Sequence, residues 1–374
     1  MSKGRTGSIP TEESDEADQT RRRKIEHIEI CLQENVQAGQ SSLFEDISFI
    51  HNALPEIDRG EIDLTTNFMG LRANAPLVIA GMTGGHPDTL DINRRLAEAA
   101  EELGLPMGVG SQRAAIEDPQ LENTFRVVRE HAPTVPIIAN IGATHANAAL
   151  DAIEMVNADI VAIHLNPLQE AVQPEGDCDS SGVIERISKI VDAVEIPVIV
   201  KETGAGISSS VAEILESIGV SGVDVGGLGG TSWAAVEYYR AKQEKNEAKA
   251  QLGVEFWNWG IPTALSVIMV NRLTSLEIIA TGGIRSGVDI AKSLAIGASS
   301  AGVALPLLEP AVNGDTENVI AELQLFLGSL KTAMYLTGCK TVEEAKLCPL
   351  IITGKLREAL ESINIDSKLF ASRP

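Results

Sequence analysis

From residue 75 onward, apolar runs of four to six residues alternate with longer amphipathic segments, the pattern of parallel strands joined by crossover helices. The runs fall at Pro76–Ala80, Met107–Gly110, Pro136–Ile141, Ile160–His164, Val198–Lys201, Gly222–Val225, Glu277–Thr281 and Ser300–Ala304. Most carry Val, Ile or Ala at successive positions, as a parallel strand covered on both faces requires. Between them lie helical patterns such as DTLDINRRLAEAAEELG and SSSVAEILESIG, which close on Gly104 and Gly219, residues suited to a helix C-cap. Eight such units predict an α/β fold, a (β/α)8 TIM barrel. A doubly wound open sheet would carry a glycine fingerprint for a dinucleotide after its first strand, and none is present.

A barrel gathers the residues after each strand at its C-terminal mouth, where active sites of this fold are built. In strand order they read MTGGH, SQR, NIGATH, HLNPLQE, KETGAG, GGLGGTSW, TGGIRSG and ALPLL. Residues 21–374 are expected to form one barrel domain. Within it, residues 21–74 precede the first strand, begin RRRKIEH, and are expected to cap the barrel or reach toward its mouth. The longest insertion, Tyr238–Trp259, starts with the charged run RAKQEKNEAK, expected as an exposed helix or lid, and ends in FWNWGIPT, expected as a packed corner. Residues 1–20 are polar and acidic and predict a disordered tail.

Charge and composition narrow the function classes. Thirty Lys and Arg against 52 Asp and Glu give a net charge of −22, which opposes binding to nucleic acid. An anionic small ligand therefore needs local basic groups. The four cysteines (Cys31, Cys178, Cys339, Cys348) lack metal-site spacing and form no disulfide framework, which predicts a reducing, cytoplasmic setting. The N-terminus lacks the charged-then-apolar pattern of a secretory leader, and the apolar runs are shorter than the roughly 18 residues that span a bilayer.

Gly282-Gly283-Ile284-Arg285-Ser286-Gly287 follows a buried strand and opens a helix, so its N–H groups and helix dipole suit a phosphate. Ala304 and Leu305, after the last strand, add donors at the usual phosphate site of this barrel. Lys201 ends an apolar strand with Glu202 beside it. A charge so placed requires a partner, either that carboxylate or a ligand with delocalised negative charge such as reduced flavin. Period-two alternation puts Ile160, Ala162 and His164 on one strand face. Asn166, Gln169 and Glu170 then lie in the following loop, where a carboxylate can hold Mg²⁺ together with substrate phosphates.

At this point the chain resembles the FMN-dependent type 2 isopentenyl-diphosphate delta-isomerases, from about Arg23 to near Leu360. The resemblance rests on RKIEHI at Arg23–Ile28, AGMTGG at Ala80–Gly85, GSQR at Gly110–Arg113, HLNPLQE at His164–Glu170, KETG at Lys201–Gly204, GGTSW at Gly229–Trp233, FWNWGIPT at Phe256–Thr263 and TGGIRSG at Thr281–Gly287. It implies FMN contacts at Met82, Thr83, Ser111, Asn140, Lys201 and Thr231, with the FMN phosphate at Gly282, Gly283, Ile284, Arg285, Ala304 and Leu305. It implies diphosphate contacts at Arg23, Lys24, His27, Ser111, Gln112 and Arg113, with His164 and Gln169 facing the isoprenoid end and Glu170 on Mg²⁺. The implied reaction is a 1,3-allylic proton shift between isopentenyl and dimethylallyl diphosphate. In it reduced FMN acts as acid and base, His164 and Gln169 position or relay, and Lys201 stabilises the flavin anion. NADPH serves to reduce the flavin, and homo-oligomers, tetramers or octamers, are expected. An oxidase acting on 2-hydroxy acids shares GGIRSG but needs a His base after the sixth strand, where this chain has GGLGGT. An inosinate-type dehydrogenase needs a Cys there, and none of the four falls in that loop.

Overall fold

Eight short parallel strands close on themselves in the computed structural model, which describes residues 12–373. In chain order they are β1 (Leu77–Ile79), β2 (Met107–Gly108), β3 (Ile137–Gly142), β4 (Ile160–Leu165), β5 (Val198–Glu202), β6 (Gly222–Asp224), β7 (Glu277–Ala280) and β8 (Ser300–Val303). Each pairs with the next, and β8 returns to β1 through the register Ala301–Leu77, Gly302–Val78 and Val303–Ile79. This is the TIM barrel that the alternation of apolar runs and amphipathic segments predicts.

The strand pleat sorts residues between two cores. Val78, Ile138, Ile160, Ala162, Ile199 and Ile279 form one cluster with Phe68 and Met69, which is the barrel interior. Their neighbours Leu77, Ile79, Ile137, Ala139, Val161, Ile163, Val198 and Val200 pack in a second cluster with the helices outside. Phe68 and Met69 come from the antiparallel hairpin Thr66–Phe68 and Leu71–Ala73. The turn takes positive φ at Met69 and Gly70, and Glu277 Oε2 accepts the Met69 N–H at 3.1 Å. A side chain at Gly222 would strike Met69 Cε at 2.6 Å, so the hairpin plugs the floor only because the start of β6 is bare.

The segment before the barrel thus serves both ends. Its first element, the helix Glu12–Gln33, begins inside the stretch expected to be a disordered tail; residues 1–11 of that stretch lie outside the described residues. After the helix, Ala38 N–H donates to Gly230 O, Ser232 N–H to Val36 O, and Ala264 N–H to Ser42 O. These bonds lace residues 36–42 onto the loops after β6 and the insertion. That insertion is helical: Trp233–Gln243 packs on Glu247–Glu255, and Trp257 Nε1–H donates to Gln37 O at 2.9 Å. The 22-residue helix Thr316–Thr337 is long and apolar enough to cross a membrane by length and composition. Here Leu323, Phe326 and Leu330 bury it against the barrel's outer layer.

Candidate active site

Where the strands end, the interior face turns polar. Registers place His164 beside Lys201 and Lys201 beside Asp224, so three ionisable groups stand in a row across β4, β5 and β6. Lys201 Nζ pairs with Asp224 Oδ2 at 2.9 Å. Asp224 Oδ1 accepts from the Thr281 hydroxyl, and the Asn140 amide closes the arc by accepting from His164 Nδ1 at 2.9 Å. With Nδ1 donating, Nε2 is left as an acceptor. Burial first, then the charges of Lys24 and Lys201, hold His164 down at about 3, so its ring is neutral at pH 7. Glu202 occupies the opposite face of β5, where its Oε2 accepts the N–H groups of Gly204, Ala205 and Gly206. Burial raises its carboxyl to about 7.

The N-terminal helix brings a second set of charges to this mouth. Lys24 Nζ donates to Ser111 O at 3.2 Å. Burial, then the neighbouring Arg23 and Arg113, lower its ammonium to about 7. A basic pit is therefore formed by Arg23, Lys24 and Arg113 over the SQR loop. Arg23 and Arg113 have carboxylates at the rim, Glu175 at 3.6 Å and Glu117 at 2.6 Å, whereas Lys24 has none in contact among the described residues. Repulsion of this kind is relieved by a polyanion.

Below the helix, Glu237 is fully buried and accepts three donors: His27 Nε2 at 3.1 Å, Gln169 Nε2 at 2.9 Å and Arg240 Nη1 at 2.8 Å. Burial works against its charge, but these partners win and hold the carboxyl down at about 2. Arg240, also buried, pairs further with Glu26 and Glu175. His27 packs edge-on against Trp233, with ring centres 5.0 Å apart. A carboxylate only accepts, so the Gln169 amide must turn its NH₂ to Glu237 and its carbonyl away. Beside it, Leu168, Thr203, Leu228, Trp233, Trp257 and Trp259 line a mostly apolar cleft. Glu170 accepts from Asn166 Nδ2 at 2.9 Å, Gln173 Nε2 at 2.5 Å and Asp177 N–H at 3.0 Å.

On the far side of the mouth, Gly282 and Gly283 take positive φ, and a Cβ on Gly230 would sit 2.6 Å from Gly283 N, so two backbone loops touch. Ser286 caps the helix Gly287–Ala295 by accepting from Asp289 N–H. Among the described residues the N–H groups of Gly283, Ile284, Ala304 and Leu305 have no protein acceptor, and Arg285 reaches Gln37 Oε1 at 3.3 Å. Nearby, the buried Thr83 hydroxyl has no partner. A bare backbone cradle with open donors, an unpartnered hydroxyl and a lysine at the rim fit FMN with its phosphate at β7 and β8.

A family model described as FMN-dependent dehydrogenase matches residues 164–348. The isopentenyl-diphosphate delta-isomerase of Methanothermobacter thermautotrophicus is 50% identical over 351 residues, 94% of this chain and 99% of the relative. This chain belongs to the isopentenyl-diphosphate delta-isomerase family. The family's protein from Pyrococcus furiosus is 49% identical over 372 residues, covering 96% of this chain and 93% of that one. Among solved structures, a mandelate oxidase superposes with a TM-score of 0.60 over 90% of this chain and 99% of its own, at 18% identity. A chain described as a lactate oxidase of Pediococcus acidilactici gives 0.64 over 93% and 96%, at 17%. These share the barrel; in this family member the loop after β6 is Gly226–Thr231, with no histidine.

The structure brings most of the residues expected of the family to one mouth, with three corrections. Gln112 does not face it: its side chain is fully buried, donating to Ala152 O and accepting from Asn140 N–H, so it braces β3. Lys201 pairs with the carboxylate of Asp224 and not with that of Glu202, whose backbone carbonyl alone it reaches at 3.3 Å, because adjacent residues of a strand point to opposite faces. The run RAKQEKNEAK, expected to be exposed, hides Arg240 under the N-terminal helix. His27 reaches the site, but its Nε2 serves Glu237, leaving Nδ1 for any ligand. Glu237 and Asp224 escape sequence reasoning. The signals were an acid three residues before an arginine on an otherwise small and aromatic helix, and a lone acid ending the apolar run GVD.

Proposed function

We propose that this chain interconverts isopentenyl and dimethylallyl diphosphate by a 1,3-allylic proton shift in isoprenoid biosynthesis, using reduced FMN, with NADPH as reductant and Mg²⁺ on the substrate phosphates. The observation that carries this reading is a basic pit of Arg23, Lys24 and Arg113 in a protein of net charge −22, joined through His27 of the same N-terminal helix and Glu237 to Gln169, which lines a mostly apolar, tryptophan-lined cleft. That layout suits a short apolar tail on a diphosphate head. Bound reduced FMN supplies the proton donor and acceptor beside the alkene.

The chain's own residues do the rest. Lys24 and the two arginines bind the diphosphate through charge-assisted hydrogen bonds. Neutral His164 presents an acceptor at Nε2 without adding positive charge beside a developing cation. Gln169 is set by Glu237 with its carbonyl outward, where it stabilises positive charge or passes a proton. Lys201 is held at the barrel end by Asp224, ready to share its charge with an anionic ring system. Met82, Ser111 and Thr231 complete the proposed FMN contacts. Glu170 contributes one carboxylate to Mg²⁺; among the described residues no cluster of three metal-ligating side chains exists, so the diphosphate must supply other ligands, as is usual for this ion. A cytoplasmic homo-oligomer belongs to the same reading.

The test is turnover of isopentenyl diphosphate with and without a catalytic amount of NADPH or dithionite. Product in excess of reductant, with solvent deuterium entering carbon in heavy water, is the expected result. One reductant consumed per product would support oxidoreductase chemistry instead.

A further inference from the structure

Asp224 ends the apolar run GVD of β6 and is 5% exposed. Its two oxygens have different partners. Oδ2 pairs with Lys201 Nζ at 2.9 Å, while Oδ1 accepts the Thr281 hydroxyl and, at 3.3 Å, the Gly226 N–H. Gly226 can turn its N–H this way because it takes positive φ, at a place where a Cβ would strike Glu202 O. The lysine is constrained as well. Of the three donors on an ammonium, one goes to Asp224 and one to Glu202 O at 3.3 Å, which leaves one free. Among the described residues no second carboxylate contacts Lys201, and the neutral His164 ring on the neighbouring strand adds no charge. The pair therefore keeps a free donor while its net charge is zero.

We propose that Asp224 is a positioning residue that offsets the Lys201 ammonium and so limits how firmly the site holds reduced FMN as an anion. This rests on the reading that reduced FMN lies against Lys201 and serves as acid and base. A positive charge favours the anionic form of its neighbour, and an anion held by an unpaired ammonium is a weak base. Moving a double bond in either direction needs a proton to leave and return with similar ease. Pairing Lys201 with a buried carboxylate keeps the donor and cancels most of the charge. Thr281 sets the balance, because its hydroxyl draws the Asp224 charge away from the lysine.

The test reads the bound flavin and not turnover. Full-length protein reconstituted with FMN is titrated anaerobically with dithionite against a redox indicator at fixed pH. Asp224→Asn keeps an acceptor for Thr281 and Gly226 but replaces the charged oxygen. Reduced FMN should then be favoured over oxidised FMN about tenfold more, a rise in midpoint potential of about 30 mV. Thr281→Val keeps the carboxylate and removes its donor, so the same ratio should fall about threefold. Opposite shifts are what charge balancing requires, whereas a residue that only holds the strand ends would move neither. A potential that is unchanged or lower in Asp224→Asn overturns the proposal. Where that variant does not fold, a potential that is unchanged or higher in Thr281→Val overturns it. An unsubstituted chain that retains no FMN fails both this inference and the reading beneath it, and retained FMN with unmoved potentials fails this inference alone.

Discussion

At the residue scale, charge is arranged so that each buried group is either satisfied or waiting for a ligand. Lys24 is the waiting case. Its ammonium, depressed to about 7 by burial and by Arg23 and Arg113, is largely neutral at pH 8 in the free protein, and a bound diphosphate restores its charge. Binding at pH 8 should therefore take up a proton, and affinity should weaken by up to tenfold per pH unit above 7 until the bound form also titrates. Calorimetry in two buffers of different ionisation enthalpy measures the uptake, and Lys24→Met should abolish it. Glu237 is the satisfied case. Glu237→Gln keeps the shape but no longer dictates which way the Gln169 amide points, so kcat should fall about 100-fold with FMN retention unchanged. Equal loss of flavin would mean that the residue only holds the fold.

Single elements divide the work between floor and mouth. The hairpin Thr66–Ala73 matters for stability: Phe68 is 1% exposed in the barrel interior, so Phe68→Ala should cost about 3–5 kcal/mol in denaturant unfolding with little change in KM. The helix Glu12–Gln33 matters for recognition, since it carries Arg23, Lys24 and His27. Removing residues 1–27 should raise KM for the diphosphate by orders of magnitude and leave FMN binding intact, because the proposed flavin contacts all lie on the barrel loops. Removing residues 1–11 alone should change neither, and steady-state kinetics with a flavin absorbance titration separates the outcomes. Element boundaries were legible because apolar runs, glycine stops and Ser or Asp caps agree: Ser208, Ser232 and Ser286 all accept a backbone N–H at the helix start. The buried face of the helix Trp233–Gln243 was not, because Arg240 and Glu237 look like solvent residues until a second helix covers them.

For the whole molecule, a net charge of −22 means that negative charges repel one another across the surface, while the basic cluster of Arg23, Lys24 and Arg113 sits at the mouth. Added salt should screen both: thermal stability should rise by a few degrees between low and moderate NaCl, and the diphosphate KM should rise with it. A melting temperature that falls with salt would show that attractive pairs dominate instead. The sequence by itself determined the barrel, the order of its strands, the glycine turn at Gly282–Arg285 and the placing of SQR and HLNPLQE at one mouth. All of these are written in local periodicity, glycine placement and short motifs, and a closed parallel sheet brings strand ends together whatever else happens. Only the tertiary structure decided which groups meet: Lys201 with Asp224, Gln169 and His27 with Glu237, Gln112 with β3, and the hairpin with the barrel floor. Those partners lie between 23 and 210 residues apart. Their pairing depends on strand register and on which helix shields which from water, and neither is encoded in any local stretch of chain.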